Sequence, residues 1–108
     1  MKKLIFISIV TLISLIGCEK KEDPLVRVEN NFDFYSDVEL KRTDGYTKVF
    51  EDIDAHQTTE YVKIPSGYYI VSSSDVSNEV GFQADKNKKY TIELYMTDKQ
   101  IPAIRIKE

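Results

Sequence analysis

From Leu25 onward, apolar side chains recur at every second position rather than every third or fourth. Val26 and Val28 alternate with Arg27 and Glu29, Val38 and Leu40 with Glu39 and Lys41, and Val80 and Phe82 with Glu79 and Gln83. Tyr90, Ile92, Leu94 and Met96 alternate with Thr91, Glu93 and Tyr95, and Ile104 and Ile106 with Arg105 and Lys107. Successive side chains of a strand point to opposite faces, so each run buries one face and wets the other. Turn signals fall between the runs at Asp44-Gly45, Pro65-Ser66-Gly67, Asp85-Lys86-Asn87-Lys88 and Thr97-Asp98-Lys99. The pattern predicts strands over 25–30, 37–42, 46–50, 59–64, 68–73, 79–84, 90–96 and 101–107, with no amphipathic helix. Short strands at this spacing define an all-β fold: a single small antiparallel β-sandwich of about seven or eight strands. Pro102 lacks a ladder donor and is expected at the start or on the edge of the last strand.

The first residues follow another pattern. Lys2 and Lys3 precede residues 4–16, which hold no charge and only Ser8, Thr11 and Ser14 as polar side chains. A basic start followed by such an apolar run reads as a secretory signal. As a helix the run would rise roughly 20 Å, against the about 30 Å of hydrocarbon that a spanning helix must cross. It leads directly into Leu15-Ile16-Gly17-Cys18. That tetrad resembles the lipobox of bacterial lipoproteins: an aliphatic residue, a tolerant position, a small residue, then Cys. The resemblance implies a thioether-linked diacylglyceryl group on Cys18, cleavage before it, and an outer-membrane location. Several acyl chains, at about 0.8 kcal/mol per buried CH₂, make such an anchor effectively permanent. The expected division is therefore 1–17 signal peptide, 18–24 lipidated Cys and charged tether, and 25–108 sandwich.

Glu19-Lys20-Lys21-Glu22-Asp23 reads as a solvated spacer. Lys21-Glu22-Asp23 is also similar to the short Lys-plus-acidic export signal that follows the lipidated Cys in surface-exposed lipoproteins of Bacteroidota. It leaves periplasmic and surface-facing display both open.

Composition narrows the chemistry. A length of 108 residues holds one small domain, and a single Cys excludes an internal disulfide, a CxxC pair and a Cys₄ zinc site. A net charge of −3 lacks the basic footprint of a nucleic-acid binder. Without the signal the balance is more acidic still, so the lipid rather than a basic patch is expected to hold the chain to a membrane. With no disulfide available, Phe32, Phe34, Phe50, Phe82 and several tyrosines are expected to supply the core.

Candidate sites are few. Glu51-Asp52-Ile53-Asp54 is the densest acidic run and offers hard oxygen donors for Ca²⁺, but it lacks the EF-hand spacing, and Ile53 reads as a core residue. His56 could meet Ser66, Ser72, Ser73 or Ser74 and an Asp in a triad, but no G-x-S-x-G elbow is present and a turn histidine is the simpler reading. No catalytic residue and no cofactor beyond the covalent lipid are expected. Of seven tyrosines, Tyr35, Tyr68 and Tyr69 are the candidates for a binding face, with Tyr68 and Tyr69 on opposite sides of one strand. Lys86, Lys88 and Lys89 around Asn87 read as a solvated hairpin tip.

The strand set Val26-Arg27-Val28-Glu29-Asn30, the run 38–41, Lys89-Tyr90-Thr91-Ile92 and the Tyr61-x-x-Ile64-Pro65-x-Gly67-x-Tyr69 hairpin resemble small immunoglobulin-like sandwich domains of bacterial lipoproteins. The resemblance implies a fold and no activity. The functional expectation is a lipid-anchored envelope lipoprotein serving as a non-enzymatic binding or accessory module, with an envelope protein or a glycan as partner. The alternative is an inhibitor or immunity-type lipoprotein that masks an envelope-acting enzyme.

Overall fold

A computed structural model describes residues 21–108. The lipobox residues Leu15, Ile16, Gly17 and Cys18 lie outside the described residues. The strands are β1 (Leu25–Asn30), β2 (Ser36–Arg42), β3 (Thr47–Ile53), β4 (Val62–Lys63), β5 (Gly67–Ser73), β6 (Val76–Ala84), β7 (Lys89–Met96) and β8 (Pro102–Lys107). They form two four-stranded sheets, β4-β1-β7-β8 and β3-β2-β5-β6, and among the described residues there is no helix. The all-β sandwich expected from the alternation is the observed fold. All pairings are antiparallel except one: β1 runs parallel to β7, with Val26 opposite Tyr90 and Val28 opposite Ile92. The second and third strands are hydrogen-bonded neighbours here, whereas the immunoglobulin arrangement places them in opposing layers.

Alternation places the core. Val26 and Val28 from β1, Val38 and Leu40 from β2, Tyr69 and Val71 from β5, and Ile92 and Leu94 from β7 are fully enclosed between the sheets. Burying each such side chain contributes about 1.5–3 kcal/mol. Three aromatic rings continue this layer, with Tyr69 to Phe82 at 5.9 Å and Phe82 to Tyr90 at 5.1 Å between centroids. Phe34 is not part of it. It stacks on buried Phe32 at 4.8 Å but stays 39 % exposed, because the β1–β2 link carries it to the rim.

Two connections differ from expectation for physical reasons. The Ile64–Gly67 stretch is not a hairpin tip: β4 and β5 lie in different sheets, so it is a corner between layers. Gly67 has φ 147° there, and a Cβ would strike the Arg42 side chain. The expected 59–64 strand shrinks to Val62–Lys63: the Thr59 N–H still donates to the Val28 carbonyl at 2.8 Å, but the Val28 N–H is taken by the Thr59 hydroxyl at 2.9 Å instead of a backbone carbonyl.

The edges are protected. β3 carries a bulge, Lys48 lies beside the Phe50 ring, and Glu51 and Asp52 project outward, all features that deter edge-to-edge pairing. Pro102 opens β8 on the edge of its sheet, as expected.

β7 is buried on both faces, which simple alternation does not anticipate. Thr91 and Glu93 face outward but are covered by long side chains from the flanking strands β1 and β8. Glu93 accepts hydrogen bonds from Arg105 at 2.9 Å and Asn31 at 2.8 Å, and Lys107 lies 3.5 Å away. Burial pushes the Glu93 carboxyl up, but the Arg105 and Asn31 hydrogen bonds and the two cations outweigh it, so the group sits below its ordinary value. A depressed carboxyl stabilises the fold above the unfolded value of 4.5 and loses that contribution as pH falls through the folded value. Urea unfolding should therefore show a fall in stability below that pH, and the fall should be smaller in Glu93→Gln.

Candidate functional site

The connectivity gives the sandwich two dissimilar ends. At the proximal end the chain enters β1, beside the β2–β3 turn, the β4–β5 corner and the β6–β7 turn. At the distal end lie the β1–β2 link, the β3–β4 link, the β5–β6 turn and the β7–β8 turn.

One buried side chain organises the distal end. Asn30 follows Val26 and Val28 in inward phase at the last position of β1 and is fully buried. Its Nδ2 donates to the carbonyls of Ile53 at 2.9 Å, Phe34 at 3.0 Å and Asp54 at 3.2 Å, while its Oδ1 accepts the Phe32 N–H at 2.9 Å. The amide thereby ties the β1–β2 link to the end of β3. There β3 bulges: between the pairs Ser36–Ile53 and Val38–Phe50, the single residue Asp37 of β2 faces Glu51 and Asp52 of β3. Asp52 takes φ 52°, so both Phe50 and Ile53 point inward and Glu51 and Asp52 point out.

Across from the bulge, the β5–β6 turn is held by hydroxyl–carboxylate bonds. Ser36 Oγ, almost fully buried, donates to Asp75 Oδ2 at 2.6 Å and lies 3.1 Å from Ser73 Oγ. Asp37 accepts from the Ser74 N–H at 3.1 Å and from its hydroxyl at 2.9 Å. Between bulge and turn lies a concavity of about 570 Å³, lined by Phe34, Tyr35, Ser36, Asp37, Glu51, Asp52, Ser74 and Asp75. Among the described residues none of its four carboxylates pairs with a Lys or Arg.

The acidic run and Tyr35 are thus brought together at one place. Ile53 is buried, as its expected core role requires. Among the described residues no three His, Cys, Asp or Glu are grouped so as to hold a metal ion. His56, at φ 62°, places Nε2 2.7 Å from Asp33 Oδ1, and the Ser73 and Ser74 hydroxyls bond to Ser36 and Asp37 instead.

The three candidate tyrosines lie in three different places. Tyr35 is 68 % exposed on the distal rim, with Phe34 rather than another tyrosine beside it in the lining. Tyr68 is exposed near the proximal end, where it covers the backbone of Gly81. The strand from there to Ser73 at the distal end spans roughly 17 Å at about 3.3 Å per step. Tyr69 points the other way into the core, where its hydroxyl donates to the Pro65 carbonyl at 2.6 Å and pins the β4–β5 corner. Other tyrosines are occupied by cations: Arg27 and Lys89 approach Tyr61 at 4.7 and 5.3 Å, and Arg105 lies 4.1 Å from Tyr95.

Part of the expected tether is docked. Pro24 is buried, Glu22 exchanges hydrogen bonds with Asn87, and Asp23 pairs with Lys86 at 3.3 Å. Of Lys21, Glu22 and Asp23, the last two therefore belong to the folded surface. The Asn87 turn is a docking point rather than a free tip.

No family model matches the chain, and a search of curated proteins finds no significant relative.

Ser36 and Asp75 belong to no motif, and Asn30 enters the sequence pattern only as the end of the Val26–Asn30 strand, not as a site residue. A signal for Asn30 and Ser36 exists: each is polar in the inward phase of its strand. Asn30→Ala strands three carbonyls and is expected to cost about 2–4 kcal/mol in urea unfolding. Amide exchange should then rise first over residues 31–35. Burial pushes the Tyr69 phenol up to about 12, against the pull of Arg42. A raised phenol stabilises the fold below its unfolded value of 10.0 and loses that as pH climbs toward the folded one. Tyr69→Phe should lower stability by about 1 kcal/mol at neutral pH. It should also reduce the alkaline decline expected of wild type in urea midpoints between pH 10 and about 12.

Proposed function

We propose that this chain is a lipid-anchored lipoprotein of the bacterial outer membrane whose sandwich is a non-enzymatic binding module, with the distal concavity as its binding surface. The anchor rests on Leu15-Ile16-Gly17-Cys18. The observation that carries the binding role is placement. An exposed aromatic pair and four carboxylates without basic partners sit at the end opposite the one where the chain arrives from Cys18. A surface of that chemistry suits a cationic, partly apolar protein partner: the carboxylates steer the approach and Tyr35 provides rigid contact area. The non-enzymatic reading is favoured by the partners of the candidate triad residues: His56 bonds to Asp33, and the Ser73 and Ser74 hydroxyls bond to Ser36 and Asp37.

The unmatched negative charge also favours an inhibitor or immunity-type role, since masking a cationic enzyme cleft calls for an acidic projection. Mass spectrometry of the native product should find Cys18 as first residue, carrying lipid; an unmodified residue 18 with the leader attached overturns the anchor. Pull-down from envelope extract should retain a protein at low salt that Asp37→Asn/Glu51→Gln and Tyr35→Ala each lose. A stoichiometric hydrolytic enzyme in that band selects the inhibitor role, and a glycan retained equally by all variants overturns the distal surface.

A further inference from the structure

We propose that the proximal end of the sandwich rests directly on the lipid headgroup layer, so that the body stands upright with its concavity facing away from the bilayer. This placement depends on the anchor at Cys18 and goes beyond it, because an anchor alone fixes no orientation.

The first argument is length. Glu22 is fastened to the body: its N–H donates to Asn87 Oδ1 at 2.8 Å and its carbonyl accepts the Asn87 N–H at 2.9 Å. The fastening continues through Asp23 to Lys86, the Pro24 carbonyl to the Ile64 N–H at 3.1 Å, and the Leu25 N–H to the Lys88 carbonyl at 3.0 Å. Only residues 19–21 separate Cys18 from this docked segment. At most about 3.6 Å per residue, Cys18 to Glu22 spans roughly 14 Å. A lipidated residue lies at the base of a headgroup layer about 5–7 Å thick, which leaves under roughly 10 Å of clearance. That is close to one Debye length, about 8 Å at physiological salt.

The second argument is charge. At the proximal end Lys63, Lys86 and Lys88 pair with Glu22, Asp23 and Glu108 at 3.8, 3.3 and 2.8 Å, Arg42 pairs with Asp44, and exposed Lys89 offsets exposed Asp85, so this end meets an anionic surface with no excess of carboxylates. At the distal end Asp37, Glu51, Asp52 and Asp75 are unmatched among the described residues. A strand the length of β5 holds them roughly 23 Å farther out. Tipping the body over would bring those carboxylates down onto anionic lipid. Short reach and uneven charge therefore favour the same pose.

The test uses the full lipidated chain in vesicles of phosphatidylethanolamine and phosphatidylglycerol carrying a headgroup spin label. A fluorophore is attached through D85C in the β6–β7 turn or K99C in the β7–β8 turn. Strong quenching of the first and little of the second is expected, and a Gly-Ser insertion between Lys20 and Lys21 should relieve the first. Equal quenching at the two positions, or quenching indifferent to the insertion, overturns the upright placement while leaving the anchor intact. Protein that fails to float with the vesicles overturns the anchor itself.

Discussion

The distal end depends on one buried amide. Sheet pairing fixes each strand within its own layer, but nothing in a ladder of backbone bonds sets how a link between layers is draped. Asn30 does that. A single planar group engages three carbonyls and one N–H from segments up to 24 positions away in the chain. Each of those backbone groups is close to the core and needs a partner. Satisfying all of them with one rigid group selects one path for the link, and with it the positions of Phe34 and Tyr35. The Asp52 bulge, the serine–carboxylate bonds of the facing turn and the inward Ile53 are then mutually consistent consequences.

The two ends of the body also divide the electrostatics. Around β4, β7 and β8, cations are spent on carboxylates or on tyrosine faces, and Glu93 is held as an anion despite its burial. Such pairs are individually modest where they are exposed. Their joint effect is to pair much of the charge on the β4-β1-β7-β8 sheet, while the four carboxylates of the distal concavity stay unmatched among the described residues. An acidic overall composition has thereby become a polarity.

Most of the fold was legible in the residues because period two is a strong and local signal. The existence and rough place of the eight strands need only side-chain alternation and turn chemistry such as Asp44-Gly45. Their ends do not follow: β3 runs on to Ile53 where alternation predicts 46–50, β6 begins at Val76 rather than at 79, and the expected 59–64 strand is only Val62–Lys63. Sheet membership is a different matter. Whether the chain at Pro65 folds back or crosses between layers is decided by the Tyr69–Pro65 bond and the Arg42 side chain packed on Gly67, neither of which leaves a local trace. The double burial of β7 is equally invisible, since it depends on which strands flank it. The acidic run and Tyr35 could be named as candidates, but their meeting requires the bulge at Asp52. Asn30 was visible in principle as a polar residue at an apolar beat. Tyr69 misleads for the complementary reason: a tyrosine looks the same in sequence whether it faces water or pins a corner.

The parallel pairing of β1 with β7 has a consequence for the order of events during biogenesis. Sixty-four positions separate Leu25 from its neighbour Lys89, and β7 in turn needs β8 on its far side. A chain delivered from its amino end cannot complete this sheet until nearly its whole length has emerged. Closing so large a loop is slow compared with forming a hairpin. The β2–β3 and β5–β6 ribbons can form early, but they expose the apolar faces that β1 and β7 later cover. The topology therefore delays commitment to the native state until the last strand is available.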